Sequence, residues 1–267
     1  MQKKPSYPEL SQAKTQWQYE PKQGCLSGRN ILVTGASSGI GATAAKTYAW
    51  YGANVILLGR NQKRLENVFD WIEENTATTP VIVPCDLLAL NDENATNLYS
   101  AIKTTYEKLH GILHCAAILG PKVPLSNYPS DEWLQVMQIN AFAPFLLTQT
   151  LLPLMTNHLE TSSVIFISST VGRKGRAYWG AYAMSKKTIE GLMEVLADEQ
   201  RNLNDLKVNT VNPGATRTAM RAAAYPGEDP STVPTAEIKM DLLIYLMDEK
   251  HKKITGQALN SKDWLYD

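Results

Sequence analysis

Cysteines are scarce in this sequence, and long uninterrupted runs of apolar residues are lacking. The chain of 267 residues holds three cysteines, Cys25, Cys85 and Cys115. An odd, widely spaced set matches neither a disulfide framework nor a zinc site, so we expect buried thiols in a reducing compartment and no metal. Apolar stretches such as residues 55–58 are far too short to span a bilayer. Because residues 1–20 are polar and lack a signal-peptide core, we predict a cytoplasmic protein without a membrane partner.

An excess of charge of either sign is also lacking. Lysine and arginine total 26, aspartate and glutamate total 26, and the formal net charge is zero. Overall charge therefore gives no long-range attraction to nucleic acid, and the sequence has no basic stripe or aromatic RNA-binding motif. Hydrophobic residues at 44% and charged residues at 19% are typical of a soluble globular protein, and this length suits a single α/β domain.

Short β-rich runs alternate with longer helical patterns after a lead-in of residues 1–28, and we interpret residues 29–267 as one domain. Strands are predicted at 31–34, 54–58, 81–83, 111–115, 163–167 and 207–211, and helices at 39–51, 62–74, 95–109, 131–158, 181–203 and 235–248. Continuous apolar strands separated by helices indicate a parallel sheet covered on both faces. We therefore predict a Rossmann-type, doubly wound α/β fold of about seven strands, with its ligand crevice at their carboxyl ends.

The turn after the first strand is predicted to bind phosphate. It reads Thr34-Gly35-Ala36-Ser37-Ser38-Gly39-Ile40-Gly41 and opens the first long helix. Glycine is needed where a backbone turns tightly, approaches a pyrophosphate or packs a helix on a strand, and a helix start presents free N–H groups to anions. The strand–turn–helix context favours a dinucleotide site over a plain turn. The predicted cofactor contacts here are Gly35, Ser37, Ser38, Gly39, Ile40 and Gly41.

A tyrosine and a lysine suggest proton transfer. Tyr182 and Lys186 are four positions apart at the start of a helical pattern, so their side chains lie on one face. A tyrosine with its ordinary pKa of about 10 exchanges protons poorly near neutral pH. A neighbouring ammonium, with an oxidised nicotinamide nearby, would favour the phenolate, and lowering the pKa of Tyr182 by about three units needs roughly 4 kcal/mol of differential stabilisation. Tyr178 is a competing tyrosine, but the residue four positions after it is Tyr182, not a lysine.

The glycine spacing T-G-x-x-x-G-x-G and the Tyr-x-x-x-Lys pair resemble the short-chain dehydrogenase/reductase family, single-domain type. The resemblance covers residues 29–218, and within it residues 55–62, 171–182 and 212–221 look similar to the bacterial YciK-like oxidoreductases in particular. It implies hydride transfer between a nicotinamide dinucleotide and a carbonyl or alcohol substrate. It also implies a homodimer or homotetramer, for which the long apolar helices can supply an interface.

The resemblance assigns roles to further residues. Ser169 precedes Tyr182 by 13 positions, as in the family, and would stabilise the substrate oxygen; Ser168 is the competing assignment. Lys186 would orient the cofactor ribose. Asn140 matches the family asparagine that holds a water as a proton relay, although it can instead satisfy backbone groups locally.

The end of the second strand indicates which dinucleotide binds. An acidic residue there would bind the ribose hydroxyls and repel a 2′-phosphate, but this sequence has Gly59, Arg60 and Asn61. A glycine leaves space for the 2′-phosphate, and an arginine can donate two hydrogen bonds to it, so the sequence predicts a preference for NADP(H). NAD(H) stays possible, because Arg60 can be a solvated loop charge and the glycine loop has Ser37 and Ser38 in place of a second basic residue. Further cofactor contacts implied by the resemblance are Asp86, Leu87, Ala116, Pro213, Gly214, Thr216 and Thr218, with Tyr182 and Lys186.

The segment after the fourth strand departs from the family pattern. The family commonly has Asn-Asn-Ala-Gly, whereas residues 114–117 read His-Cys-Ala-Ala. The lost asparagine puts a sheet-supporting hydrogen bond in doubt, and the lost glycine narrows the space beside the adenosine ribose. A packing variant is favoured over a metal or redox role, because no other ligands have suitable spacing. The alternative to an enzyme is therefore a catalytically silent dinucleotide-binding sensor or scaffold protein. Asp86 likewise has an alternative, as a plain strand-end cap.

NADPH usually favours reduction in cells, so the sequence predicts a carbonyl reductase. Residues 219–234 have little periodicity and are a candidate substrate loop. Tyr178, Trp179, Met220 and Tyr225 are candidates for an apolar substrate pocket. Steroid, sugar, quinone and fatty-acyl substrates are not distinguished by these residues.

Overall fold

Seven parallel strands form the central sheet in the part of the chain that the computed structural model describes, residues 6–251 and 254–264. They are β1 Asn30–Thr34, β2 Asn54–Gly59, β3 Val81–Pro84, β4 Gly111–His114, β5 Ser162–Ile167, β6 Leu206–Asn212 and β7 Gln257–Asn260. Their spatial order is β3-β2-β1-β4-β5-β6-β7. Every residue of β1, β4, β5 and β6 is buried, as expected for apolar strands with helices on both faces. The predicted doubly wound fold is confirmed.

The carboxyl ends of the strands meet at one edge of the sheet. Thr34 at the end of β1 pairs with Leu58 in β2 and with His114 in β4. Ile167 at the end of β5 pairs with Val211 in β6. The loops that follow these strands therefore lie side by side, and the strand order reverses between β1 and β4. A crevice is expected at such a switch point.

The helices cover both faces of the sheet. They are α1 Pro8–Ala13, α2 Gly39–Trp50, α3 Gln62–Asn75, α4 Asp92–Tyr106, α5 Ser130–Met137, α6 Ala143–Thr156, α7 Thr170–Arg173, α8 Gly180–Gln200, α9 Ala219–Ala224 and α10 Met240–Met247. Ile31 and Val33 of β1 belong to the core with α2, α3 and α10, whereas Leu32 belongs to the core with α4, α6 and α8. This division follows from the alternation of side chains along a strand.

The lead-in before β1 packs on the first of these cores. It contains α1, and its residues Tyr7, Leu10 and Leu26 are buried in that core. Trp17 Nε1 donates a hydrogen bond to the carbonyl of Glu237 at 2.9 Å. This contact between the lead-in and the core could not be predicted from the sequence, because a helix of six residues is too short to show a helical period.

The helical stretch predicted at 131–158 consists of α5, a π-helical segment Gln138–Phe142, and α6. The combined stretch Ser130–Thr156 is long and apolar enough to cross a membrane, but 61% of its most apolar window is buried inside the protein. Leu146, Leu147 and Leu151 of α6 belong to the second core. We therefore interpret this stretch as a core helix of the sheet.

Residues 219–234 are more regular than the sequence suggested. They contain α9 and a 3-10 turn, Pro230–Thr232. Thr218 caps α9, because its hydroxyl accepts a hydrogen bond from the Arg221 N–H at 3.1 Å. Arg221 also donates two bonds of 2.6 Å to the Glu228 carboxylate. The candidate substrate loop therefore begins with a short capped helix, and its contact with a substrate stays a prediction.

Candidate active site

A cleft of about 850 Å³ lies at the carboxyl edge of the sheet. It brings together these predicted cofactor and catalytic residues: Gly35, Ser37, Ser38, Gly39, Ile40, Arg60, Asn61, Asp86, Leu87, Ala116, Ser169, Tyr182, Lys186, Pro213, Gly214, Thr216 and Thr218. Of the predicted substrate residues, Trp179, Met220 and Tyr225 line it as well. Gly41, Asn140 and Tyr178 lie outside its lining.

Glycines shape the turn after β1. Gly35 and Gly39 have φ angles of 68° and 53°, in the left-handed region that side chains disfavour. A Cβ on Gly35 would lie 2.8 Å from the Ala116 Cα, so the turn touches the loop after β4. Gly41 has a different role, because a Cβ there would lie 2.3 Å from the Gly35 carbonyl oxygen. We correct its predicted cofactor contact: Gly41 packs the start of α2 against the turn.

The start of α2 fits the diphosphate of a dinucleotide. Ser38 occupies the N-cap position without making a side-chain cap hydrogen bond, and the first turn has no acidic residue. Ser37, Ser38, Gly39 and Ile40 line the cleft there. Uncapped N–H groups and the positive end of a helix dipole stabilise anions. The absence of side-chain bulk at Gly35 and Gly39 allows the close backbone approach that such a group needs.

The rim of the cleft beyond β2 carries two arginines. Gly59 ends the strand, and both Arg60 and Arg64 line the cleft. Within residues 6–251 and 254–264 neither arginine forms an ion pair. Asn61 also lines the cleft and caps α3, its Oδ1 accepting from the Arg64 N–H at 3.0 Å. Two free guanidinium groups with no carboxylate at the strand end suit a phosphate on the adenosine ribose.

Arg64 was missed by the sequence analysis. The signal was available, because a helix predicted from residue 62 puts residue 64 in its first turn, next to the loop that holds Arg60. The second basic residue of an NADP(H) site was expected in the glycine loop, which has Ser37 and Ser38 instead. In the structure that second charge comes from α3.

The three predicted catalytic side chains converge beyond β5. Ser169 directly precedes α7, while Tyr182 and Lys186 lie one turn apart on α8. Lys186 Nζ donates a hydrogen bond to the Ile167 carbonyl at 2.7 Å and lies 5.6 Å from the centre of the Tyr182 ring. Both Tyr182 and Lys186 are buried. The arrangement places a hydroxyl, a phenol and an amine around one point of the cleft.

Burial dominates the acid–base properties of this pair. It raises the pKa of Tyr182 to about 12, while interaction with the Ser169 hydroxyl lowers it. It lowers the pKa of Lys186 to about 8, while Cys115 and Glu190 raise it. Among the protein's own groups, loss of water around the phenolate is the largest influence, and the expected lowering of the Tyr182 pKa beside an oxidised nicotinamide stays a prediction. A phenol held neutral is suited to give a proton.

The two serines after β5 face different neighbours. Ser168 Oγ donates a hydrogen bond to the carboxylate of Glu190, which is buried. Ser169 interacts with the Tyr182 hydroxyl. Of the two assignments considered, this geometry favours Ser169 as the serine that meets a substrate oxygen.

Asn140 lies in the π-helical segment beside the cleft. Its Nδ2 donates to the Ile118 carbonyl at 2.8 Å and to Ser185 Oγ at 3.1 Å, and its Oδ1 accepts from the Ile118 N–H at 2.8 Å. These bonds match the local backbone role considered for Asn140; the proton relay stays a prediction. Short π-helical segments inside α-helices are frequent at functional sites.

The residues that depart from the family pattern, 114–117, are held by packing of the His114 ring and by hydrogen bonds to the Thr34 hydroxyl. The His114 ring stacks on Phe166 with centres 4.9 Å apart, and its Nε2 lies 2.8 Å from Thr148 Oγ1. Burial, with a smaller effect of Lys186, lowers the pKa of His114 to about 3, so the ring is neutral. Thr34 Oγ1 accepts 3.1 Å hydrogen bonds from the N–H groups of residues 115 and 116. These bonds tie the end of β1 to the loop after β4.

An aromatic wall faces the catalytic side chains. The ring centres of Trp179 and Tyr225 are 5.9 Å apart, and Met220 packs with them. Tyr178 is 58% exposed, with φ at 70°, in the turn before α8. Its predicted place in the pocket is therefore corrected, because the turn leaves its ring in solvent rather than in the cleft lining.

Known proteins resemble this chain in sequence and structure. The family model for short chain dehydrogenase matches residues 29–229. YciK of Escherichia coli K12, an uncharacterized oxidoreductase, is 48% identical over 244 residues, which cover 91% of this chain and 96% of that protein. A short chain dehydrogenase from Shigella flexneri, in a structure with NADP, is 48% identical with a TM-score of 0.87, over 90% of this chain and 100% of that one. A short chain dehydrogenase from E. coli CFT073, in a structure with NADPH, is 48% identical with a TM-score of 0.88. The match covers 91% of this chain and 100% of that one.

Proposed function

Because this chain belongs to the short chain dehydrogenase family of oxidoreductases, we propose that it reduces a carbonyl substrate to an alcohol with NADPH as the hydride donor. The main support is one cleft that joins Ser169, Tyr182 and Lys186 to the free guanidinium groups of Arg60 and Arg64. The relatives whose structures contain NADP and NADPH support the choice of dinucleotide.

The dinucleotide would be held by groups along the whole cleft. The start of α2 would hold its diphosphate, Arg60 and Arg64 its 2′-phosphate, and Lys186 its nicotinamide ribose. Thr216 and Thr218, which line the cleft after β6, would meet the carboxamide and phosphates. When bound, NADPH supplies the hydride that adds to the carbonyl carbon.

Protonation of the substrate oxygen is the work of the chain's own residues. Ser169 donates a hydrogen bond to the carbonyl oxygen and stabilises the charge that develops there. Tyr182 then gives its phenol proton to that oxygen. The raised pKa of Tyr182 keeps the phenol protonated at neutral pH, and an alkoxide is more basic than a phenolate, so the transfer runs downhill. Lys186, held by the Ile167 carbonyl, stabilises the phenolate that remains.

A screen of carbonyl compounds for NADPH consumption tests this function. Steroid, sugar, quinone and fatty-acyl carbonyls represent the substrate classes to include. Turnover of any class, lost in the Tyr182→Phe variant, supports the proposal. NADPH binding without turnover across all classes would instead favour the sensor or scaffold protein.

Arg60→Ala is expected to weaken NADPH binding by about 10- to 100-fold, since a hydrogen bond to a charged group contributes about 1.5–3 kcal/mol. NADH lacks the 2′-phosphate, so its binding should stay the same. Nucleotide fluorescence titrations of both cofactors measure the two effects. Arg64→Ala should give a smaller loss of the same kind.

Lys63→Ala is the matched control for these variants. Lys63 is an exposed cation in the same turn of α3, but it lies outside the cleft lining. Its loss should leave NADPH affinity unchanged. Equal losses in Lys63→Ala and Arg60→Ala would mean that only overall charge matters, and the proposed phosphate site would be wrong.

We also propose that the chain assembles as a homodimer or homotetramer through the exposed side of α6 and α8. Phe142 of the π-helical segment, Phe145 of α6, and Met184 and Val195 of α8 are each 40–57% exposed. Exposed apolar side chains of this kind suit a self-complementary interface.

Phe145→Glu is expected to convert the oligomer to a monomer, because it puts a charge into that apolar interface. Size-exclusion chromatography with light scattering gives the mass. Leu159→Glu is the control, since Leu159 is fully exposed in the loop after α6 and should leave the mass unchanged. A wild-type protein of monomer mass would refute the proposed assembly.

A further inference from the structure

An ion pair between a buried carboxylate and a partly exposed guanidinium lies behind the catalytic side chains. Glu190 is buried on α8, one helical turn after Lys186. Arg173, at the end of α7, donates from Nε to Glu190 Oε1 at 2.7 Å. Arg173 also donates to the Ala258 carbonyl in β7 at 2.8 Å. The pair therefore links α7, α8 and the last strand, outside the cleft lining.

Three donors converge on the Glu190 carboxylate. Ser168 Oγ and Arg173 Nε donate to its Oε1, and Thr210 Oγ1 donates to its Oε2 at 2.7 Å. Arg173 is always charged and can only donate, so its 2.7 Å bond forms an ion pair with an ionised carboxylate, and both hydroxyls can donate to such a group. Glu190 thus carries a negative charge in the interior of the protein.

Two side chains of α8 meet consecutive residues at the end of β5. Lys186 donates to the carbonyl of Ile167, and Glu190 accepts from Ser168. Ser169 follows directly. Since Lys186 and Glu190 are four residues apart, they lie on one face of the helix. Glu190 is therefore placed to act on both the strand end and the amine.

We propose that Glu190 is a positioning residue, whose carboxylate, oriented by Arg173, fixes the Ser168 end of β5 and keeps the Lys186 amine charged. The inference rests on the proposed function, in which Lys186 supports Tyr182. A nearby anion favours the charged form of an amine that burial penalises. Mutation of Glu190 therefore changes catalysis through Lys186 and Ser169, without direct contact between Glu190 and the substrate.

The other titratable groups around Lys186 do not supply a negative charge at neutral pH. Tyr182, on the same helix, has a pKa raised to about 12 by burial. His114, at the end of β4, is neutral because burial lowers its pKa to about 3. Burial raises the pKa of Cys115, on the same loop, to about 12, so it is a thiol. Of the two described groups that raise the pKa of Lys186, Cys115 and Glu190, only the carboxylate of Glu190 is charged at neutral pH.

Titration of the lysine side chains by NMR tests the proposal without any substrate. Protein labelled with ¹³C at the lysine ε carbon is followed against pH, and Lys186→Arg identifies the Lys186 signal. Glu190→Gln keeps the shape but removes the charge, and should lower the Lys186 pKa by about one unit. Arg173→Met removes the balancing cation and should raise it. Opposite shifts cannot arise from a structural role alone.

Thr210→Val is the matched control, because it removes one hydrogen bond to Glu190 and leaves both charges in place. The Lys186 titration should stay as in the wild type. An unchanged titration in either charge variant overturns the proposal, as does an equal shift in Thr210→Val. If one of the two variants Glu190→Gln and Arg173→Met fails to fold, the Lys186 titration of the other still tests the proposal.

Turnover gives a second and separable readout. The basic limb of the kcat profile should move to lower pH in Glu190→Gln and to higher pH in Arg173→Met, following Lys186. Absence of turnover in every protein, with the two NMR shifts present, would count against the proposed function and leave the role of Glu190 intact.

Discussion

Replacing Tyr182 with phenylalanine is expected to lower kcat for carbonyl reduction by about 10²- to 10⁴-fold, the range that a positioned proton donor contributes. The change removes only the hydroxyl. The ring stays in the wall of the cleft, where its centre lies 5.8 Å from that of Trp179. Stopped-flow measurement of NADPH oxidation in a single turnover isolates this step from product release.

NADPH affinity should be nearly unchanged in the same variant, because the lost interaction belongs to the transition state rather than to the bound cofactor. Tyr99→Phe is the control, since Tyr99 lies on α4, away from the cleft lining, and its loss of a hydroxyl should leave kcat as in the wild type. A fall in NADPH affinity as large as the fall in kcat would show that Tyr182 holds the cofactor instead of moving a proton.

The sequence predicted the helices that are long enough to show a helical period and the strands that are rich in apolar and β-branched residues. β1, β5 and β6 were recognised by such residues, and α3 because its apolar side chains recur at the helical period. α1, α7 and α9 have six residues or fewer, which is too short for a period to appear. Their existence depends on tertiary contacts, such as the docking of Tyr7 on the first core.

The candidate site was predictable where its residues belong to a contiguous motif. The glycine turn and the Tyr182–Lys186 pair are of this kind. Arg64 and Glu190 were not found, because their roles come from neighbours distant in sequence, such as the cleft rim and Ser168. The burial that raises the pKa of Tyr182 was not predicted for the same reason: a sequence shows the adjacent lysine but not the burial of the phenol.

Gly41→Ala is expected to reduce the free energy of unfolding by about 2–4 kcal/mol, the cost of forcing an atom into a packed interior. The new Cβ would lie 2.3 Å from the carbonyl oxygen and 2.8 Å from the carbonyl carbon of Gly35. Both are backbone atoms of a turn in the left-handed region, so neither can yield without moving the turn. Alanine is the better helix former by about 1 kcal/mol, but the clash outweighs that gain.

The dinucleotide should bind more weakly to the same variant, because the turn that Gly41 supports also presents the start of α2. Urea unfolding and NADPH titration measure the two effects. Gly175→Ala is the matched control: its new Cβ would meet nothing within 4 Å, so stability should change by less than about 0.5 kcal/mol. If Gly41→Ala were as stable as Gly175→Ala and bound NADPH normally, close packing of the turn against α2 would not be what holds the phosphate-binding backbone in place. The left-handed angles at Gly35 and Gly39 would then have to maintain it alone.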